Sequence, residues 1–210
     1  MSLEIERKFL LPAYPEQLIR EGELVVRSEH AIDQTYLALH EDQELRVRRI
    51  EDLRTGEIQF THTFKRGFGL SREEVEVSIS EGLYQQIIEI HQAIPLTKRR
   101  VTAEWDKRTV EIDVYDQIDF IVLEVEFSSE EEARSFEPPA WFGPDISTNK
   151  EYSNKKVWSD LQRRKKERAG ESKVSTVLLQ CFVVFFRSQY SLCCGEPAHQ
   201  LEPAFCAHAL

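Results

Sequence analysis

Acidic and basic side chains recur along this chain two residues apart. Glu4 and Glu6 are followed by Lys8; Glu44 by Arg46 and Arg48; Thr61 and Thr63 by Lys65; Arg72 by Glu74 and Glu76; Lys98 by Arg100; Glu111 by Asp113; Glu124 by Glu126. A period of two places the members of each set on one face of an extended strand. Paired carboxylates supply the oxygen-rich surroundings that a hard cation prefers, while fixed guanidinium and ammonium groups suit a polyanion. The chemistry implied is the holding of a polyanionic ligand together with its metal ions.

The elements that must position these residues are strands, because the alternate residues are apolar. Ile5, Arg7 and Phe9 oppose the first acidic set, Leu45, Val47 and Arg49 the second, and Phe60, His62 and Phe64 the third. Val75, Val77 and Ile79, then Val101, Ala103 and Trp105, then Val110, Ile112 and Val114, and finally Leu123, Val125 and Phe127 continue the pattern. Gln34, Tyr36 and Ala38 share one face of a further strand against Thr35, Leu37 and Leu39. Turns are expected at Arg54-Thr55-Gly56 and Arg66-Gly67-Phe68-Gly69. Leu83, Ile87, Ile88 and Ile90 predict a helix over 81–93 packed on an apolar sheet face, and Ser129 followed by three glutamates predicts one over 129–136. A last helix is expected over 151–168. A sheet with one solvated face is one way to place so much charge. Closing about eight antiparallel strands is the other, and the density of both signs favours it. The fold class is therefore mainly β (α+β): an eight-stranded antiparallel barrel with a charged interior and covering helices.

With 210 residues, 41% of them hydrophobic, the chain can bury one domain core. An excess of 37 acidic over 27 basic residues argues against the broad basic surface that nucleic acids require. The opening MSLEIERKFLLP carries charge where a secretory signal needs its apolar stretch, and no window reaches membrane length, so a cytoplasmic protein is expected, with no membrane partner. The cysteines, Cys181, Cys193, Cys194 and Cys206, fit no zinc spacing and read as incidental thiols. Composition changes after the basic run that ends at Arg168. Residues 1–168 are expected to form the domain, and 169–210 an atypical tail, non-functional or disordered. Its apolar run at 177–186 is too short to span a bilayer, and a read-through extension accounts for it as well as a functional reading does.

Glu4-Ile5-Glu6-Arg7-Lys8 resembles the ExExK signature of CYTH domains, the triphosphate tunnel metalloenzymes. It is followed in order by Arg46-x-Arg48, Thr63-Phe64-Lys65, Leu70 to Glu76, Lys98-x-Arg100, Glu111-Ile112-Asp113, Glu124-Val125-Glu126, Pro139 to Gly143, Lys150 and Asn154-Lys155. The series covers residues 4 to about 160 and is similar to the short bacterial inorganic triphosphatases. The resemblance implies an eight-stranded tunnel that hydrolyses tripolyphosphate to pyrophosphate and phosphate. It implies Mg²⁺ or Mn²⁺ on Glu4, Glu6, Glu124 and Glu126, and a triphosphate held by Lys8, Arg46, Arg48, Lys65, Arg72, Lys98, Arg100 and Lys155. Glu74 and Glu76 are expected to hold Arg72 and its neighbours rather than the metal. Lys8 and Lys98 are catalytic candidates. Tyr36 faces the same interior: it is either a general base whose phenol Lys98 lowers or a structural hydrogen-bonding group, with a glutamate-activated, metal-bound water as the competing base. Two alternatives stay open, an organic triphosphate in the same tunnel (adenylate cyclase, thiamine triphosphatase or nucleoside triphosphatase chemistry) and a non-catalytic polyphosphate binder. The expected partner is a small-molecule triphosphate, and a homodimer is compatible with the sequence.

Overall fold

A computed structural model describes residues 2–67 and 70–169. The strands are β1 (Ser2–Leu11), β2 (Val25–Leu39), β3 (Gln43–Asp52), β4 (Ile58–Arg66), β5 (Ser71–Ser78), β6 (Leu96–Trp105), β7 (Arg108–Tyr115) and β8 (Ile121–Glu126). They close into an antiparallel barrel in the order β1-β5-β4-β3-β2-β6-β7-β8. Alternation makes closure favourable: the strands turn most of their apolar residues outward, where helices and loops cover much of that face, and most of their charged residues inward.

The outer core gathers Phe9, Leu24, Val101, Val110, Ile112, Leu123, Val125 and Phe142, all essentially inaccessible. Helix α3 (Glu130–Ser135) and a 3₁₀ turn (Ala140–Phe142) cover it. Ser129 caps α3 by accepting from the Glu132 amide, as its sequence predicts. Phe142 packs edge-on against Phe9, with ring centroids 4.9 Å apart, and lies 5.1 Å from Trp105. Gly143 follows with φ +74°, and a Cβ there would fall 2.2 Å from the Leu10 carbonyl oxygen, so only glycine lets the chain pass this close to β1.

The close approach matters because β5 pairs with only the first part of β1, Ser2 to Ile5. Residues 144–147 take up the remaining edge: Leu10 N–H donates to the Pro144 carbonyl, Ile146 N–H donates to the Lys8 carbonyl, and Lys8 N–H donates to Ser147 Oγ. Arg7, on the outer face, clamps this segment through Asp145 Oδ2 (2.6 Å) and ties it to the end of α3 by donating to the carbonyls of Ala133 and Phe136. At the same end of the barrel the interior becomes apolar. Leu96, Tyr115 and Val122 meet Ile146 and Val157, the latter on a helix at 154–169 that we call α4.

Three expectations need correction or completion. Helix α2 (Glu81–His91) forms, but its inward stripe is Tyr84, Ile87 and Ile88. Tyr84 packs on Phe60 at 4.9 Å, while Leu83 and Ile90 (85% exposed) face outward. Tyr84, the one buried residue of the helix, fixes the face turned to the sheet, and Leu83 and Ile90 lie off it. A short helix α1 (Glu16–Glu21), closed by Gly22 at φ +79°, was not anticipated. The first hairpin turns as expected, with Asp52 Oδ1 accepting from the Arg54 and Thr55 amides, whereas the second includes Phe68 and Gly69, outside the described residues. The four cysteines and the expected tail, from residue 170 onward, also lie outside them. No helix among the described residues is long and apolar enough to cross a membrane.

Candidate active site

The barrel encloses a cavity of about 590 Å³. Lys8, Arg46, Arg48, Lys65, Arg72 and Arg100 line it as cations, interleaved with Glu4, Glu6, Glu44, Glu111, Glu124 and Glu126. The strand parity read from the sequence thus brings all four expected metal ligands and six of the expected phosphate ligands to one space. Residues 146–155 form part of the wall, including Lys150 and Lys155, the latter 4.0 Å from Glu44 Oε2.

Cross-strand register decides who pairs with whom. On β1 and β8, Lys8 lies opposite Glu124 and Glu6 opposite Glu126. Lys8 Nζ sits 3.1 Å from Glu6 Oε1 and donates to Glu124 Oε1. Arg72 Nη2, from β5, donates to Glu6 Oε1 (2.6 Å) and lies 3.6 Å from Glu4 Oε2. Lys65 Nζ donates to Glu4 (2.5 Å) and is 2.7 Å from Glu74. Arg46 lies between Glu44 (3.6 Å) and Glu74 (3.7 Å), and Arg48 contacts Gln34 Oε1 (2.9 Å) and Glu76 (3.6 Å). Glu74 and Glu76 therefore hold cations, though Arg46, Arg48 and Lys65 rather than Arg72.

Among the described residues, no group of three or more His, Cys, Asp or Glu is drawn together in the manner of a metal site. The reason is visible in the pairing: cations stand between the carboxylates. Burial and Lys8 act oppositely on Glu124, and with Arg100 also beside it the carboxyl is held well below its usual range. Burial likewise opposes the Lys8 charge, but Glu124 and Glu6 outweigh it and raise the ammonium above the usual lysine value. Glu126 goes the other way. Burial, then Glu111, Glu4 and Glu6, push its carboxyl up, marking an excess of negative charge at this side of the cavity.

Lys98 departs from expectation. Its side chain is wholly buried and absent from the cavity wall, with Nζ donating to Asp113 Oδ2 at 2.5 Å. Burial, then Arg100, lower it to about 8 against the pull of Asp113. Asp113 in turn accepts from Arg100 Nε and Nη2, both at 2.7 Å, and Arg100 Nη2 also reaches Glu124 at 2.9 Å. This network fixes Arg100. Its partner Asp113 was visible as part of the interior pattern, but the sequence did not reveal its pairing.

Tyr36 lines the cavity, yet its phenol is pushed up to about 12, chiefly by burial and then by Glu44. Its ring packs on Trp158 of α4, with centroids 5.5 Å apart. The anticipated lowering of Tyr36 by Lys98 is not what the geometry gives, because Lys98 is committed to Asp113. Asn154, from the same helix, accepts a hydrogen bond from Tyr115 Oη at 2.6 Å, so α4 grips two tyrosines of the barrel interior.

Comparison with known proteins agrees with this geometry. The model of the CYTH domain matches residues 2–138. The inorganic triphosphatase of Nitrosomonas europaea is 34% identical over 158 residues, which span 72% of this chain and 94% of that protein. A crystal structure of an inorganic triphosphatase superimposes with a TM-score of 0.51 at 29% identity, covering 75% of this chain and 95% of the other.

Proposed function

The chain belongs to the CYTH domain family, and on that premise we propose that it is a metal-dependent inorganic triphosphatase, converting tripolyphosphate into pyrophosphate and phosphate. The observation that carries the reading is the set of lysine and arginine cations, six of them on barrel strands, on the wall of one cavity of about 590 Å³. Tripolyphosphate bears about four to five negative charges near neutral pH, and a partly dehydrated cavity accepts it only when fixed cations replace its water. Arg46, Arg48 and Arg100 offer forked donors to phosphate oxygens, and Lys8, Lys65 and Arg72 add mobile or edge charge. Arg46 Nε is buried without a protein partner among the described residues, a donor that a phosphate oxygen would satisfy.

Glu4, Glu6, Glu124 and Glu126 fit a divalent cation: all are hard oxygen donors on one wall, and the raised Glu126 carboxyl marks negative charge that a cation would relieve. When bound, Mg²⁺ or Mn²⁺ supplies Lewis acidity toward phosphate oxygens. The protein's own part is positioning and charge neutralisation, which dominate phosphoryl transfer. Arg100 is held by Asp113 so that its guanidinium faces the cavity already oriented. Tyr36 is a scaffold for Arg46 and α4 rather than a proton acceptor, since its phenol stays protonated at neutral pH. Lys98 acts from behind the wall, through Asp113 and Arg100. Lys155 and Lys150, on the segment over the cavity, meet the outward end of the substrate.

The test is phosphate release from tripolyphosphate, ATP and thiamine triphosphate, each with Mg²⁺ and with Mn²⁺. We expect kcat/KM for tripolyphosphate to exceed that for ATP by at least about tenfold, or about 1.4 kcal/mol. Equal or better use of ATP, or formation of cyclic AMP, would refute the inorganic assignment.

A further inference from the structure

We propose that Lys8 is a resident cation of the metal site: its ammonium occupies the gap between Glu6 and Glu124, a divalent ion displaces it, and the freed side chain turns to the phosphates. The inference rests on the reading of Glu4, Glu6, Glu124 and Glu126 as metal ligands.

Carboxylates on neighbouring strands can converge in a buried wall only if something positive lies between them. Here that charge is Lys8 Nζ, 3.1 Å from Glu6 Oε1 and bonded to Glu124 Oε1. A divalent ion brings twice the charge and demands oxygens at about 2.0–2.1 Å, closer than an ammonium hydrogen bond allows. It cannot share the gap with the ammonium, so one must leave. The four-carbon lysine stem swings readily. Arg100, the other cation on Glu124, cannot follow, because Asp113 holds it through two hydrogen bonds. Lys8 is thus the movable member. Once displaced from the carboxylates it still lines the cavity, among the cations assigned to the triphosphate. Metal and triphosphate would then bind with positive coupling, each raising the affinity for the other by the same factor.

The test uses the full chain and Mn²⁺ alone, with binding followed by calorimetry and by loss of the free-ion electron paramagnetic resonance signal. In Lys8→Met the competing ammonium is gone, while Glu6 keeps Arg72 and Glu124 keeps Arg100, so neither carboxylate is orphaned. Mn²⁺ should bind Lys8→Met at least about tenfold more tightly than wild type. Lys8→Arg, which restores a cation, should return affinity toward the wild-type value. Unchanged or weaker Mn²⁺ binding by Lys8→Met would overturn the exchange while leaving the metal assignment standing. No Mn²⁺ binding by any of the three proteins would overturn the exchange and the metal reading together. Should Lys8→Met fail to fold, Lys8→Gln carries the same comparison, because its amide removes the ammonium charge while keeping a donor toward Glu6 and Glu124, and Mn²⁺ must again bind more tightly than to wild type.

Discussion

Replacing Lys98 with methionine should erase a dependence of stability on pH that the wild-type chain displays between about pH 8 and 10.5. Lys98 is wholly buried against Asp113, and burial, with Arg100 next, lowers its pKa from the ordinary 10.5 to about 8. In the unfolded chain the lysine keeps its proton up to pH 10.5, whereas in the folded chain it begins to lose it at about 8. Between these values the unfolded state binds more protons, so stability rises with pH. A gap of about 2.5 pH units corresponds to about 3 kcal/mol over the full window, with about 1 kcal/mol gained by pH 9. Below pH 8 this group contributes no slope. The variant is a fair comparison because Asp113 stays paired with Arg100 through two hydrogen bonds. Urea unfolding of both proteins in EDTA, at half-unit steps from pH 7 to 10.5, supplies the free energies. Subtracting one series from the other removes ionisations common to both, among them Tyr36. The difference should be flat up to about pH 8 and then move by about 3 kcal/mol in favour of wild type. A flat difference throughout, or movement in the opposite direction, would refute the assignment of Lys98 as a charged lysine held against its solvation.

Glu4→Gln, Glu6→Gln, Glu124→Gln and Glu126→Gln should each raise the Mg²⁺ concentration for half-maximal phosphate release by about tenfold or more, since the amide keeps the shape and loses the charge; full activity at limiting Mg²⁺ in two of them would move the site elsewhere. Tyr36→Phe should keep kcat within about tenfold of wild type, because a phenol pushed up to about 12 is a poor acceptor near neutrality. A hundredfold loss in kcat at constant KM would restore Tyr36 as the base. Gly143→Ala should lower stability by about 2 kcal/mol or more in thermal or urea unfolding, since its Cβ would press to 2.2 Å on the Leu10 carbonyl and the backbone φ is +74°; an unchanged midpoint would contradict the tight passage of that segment beside β1.

Strand parity was legible because a period of two admits one inward set per strand, and one apolar neighbour such as Val47 or Ile112 fixes the phase. That is why Glu4, Arg46, Lys65 and Glu124 could be assigned to a common interior before any contact was known. Pairing was not legible. Arg72 reaches Glu4 and Glu6 because β1 sits between β5 and β8, a barrel order that hairpin connections do not dictate. The commitment of Lys98 to Asp113 depends on the β6–β7 register and on burial, neither of which a motif such as Lys98-x-Arg100 encodes. The apolar collar of Leu96, Tyr115 and Val122 under α4 was hidden for a different reason: these residues share the parity of the charged face, and only the helix that covers that end makes them core.

The most direct test of the account is phosphorus NMR of tripolyphosphate incubated with the full chain and Mg²⁺, set beside an identical sample containing ATP. The account predicts that the tripolyphosphate resonances give way to pyrophosphate and orthophosphate in equal molar amounts, while ATP at the same enzyme concentration is consumed at least about tenfold more slowly. Persistence of tripolyphosphate with Mg²⁺ and with Mn²⁺, or preferential consumption of ATP, would contradict it.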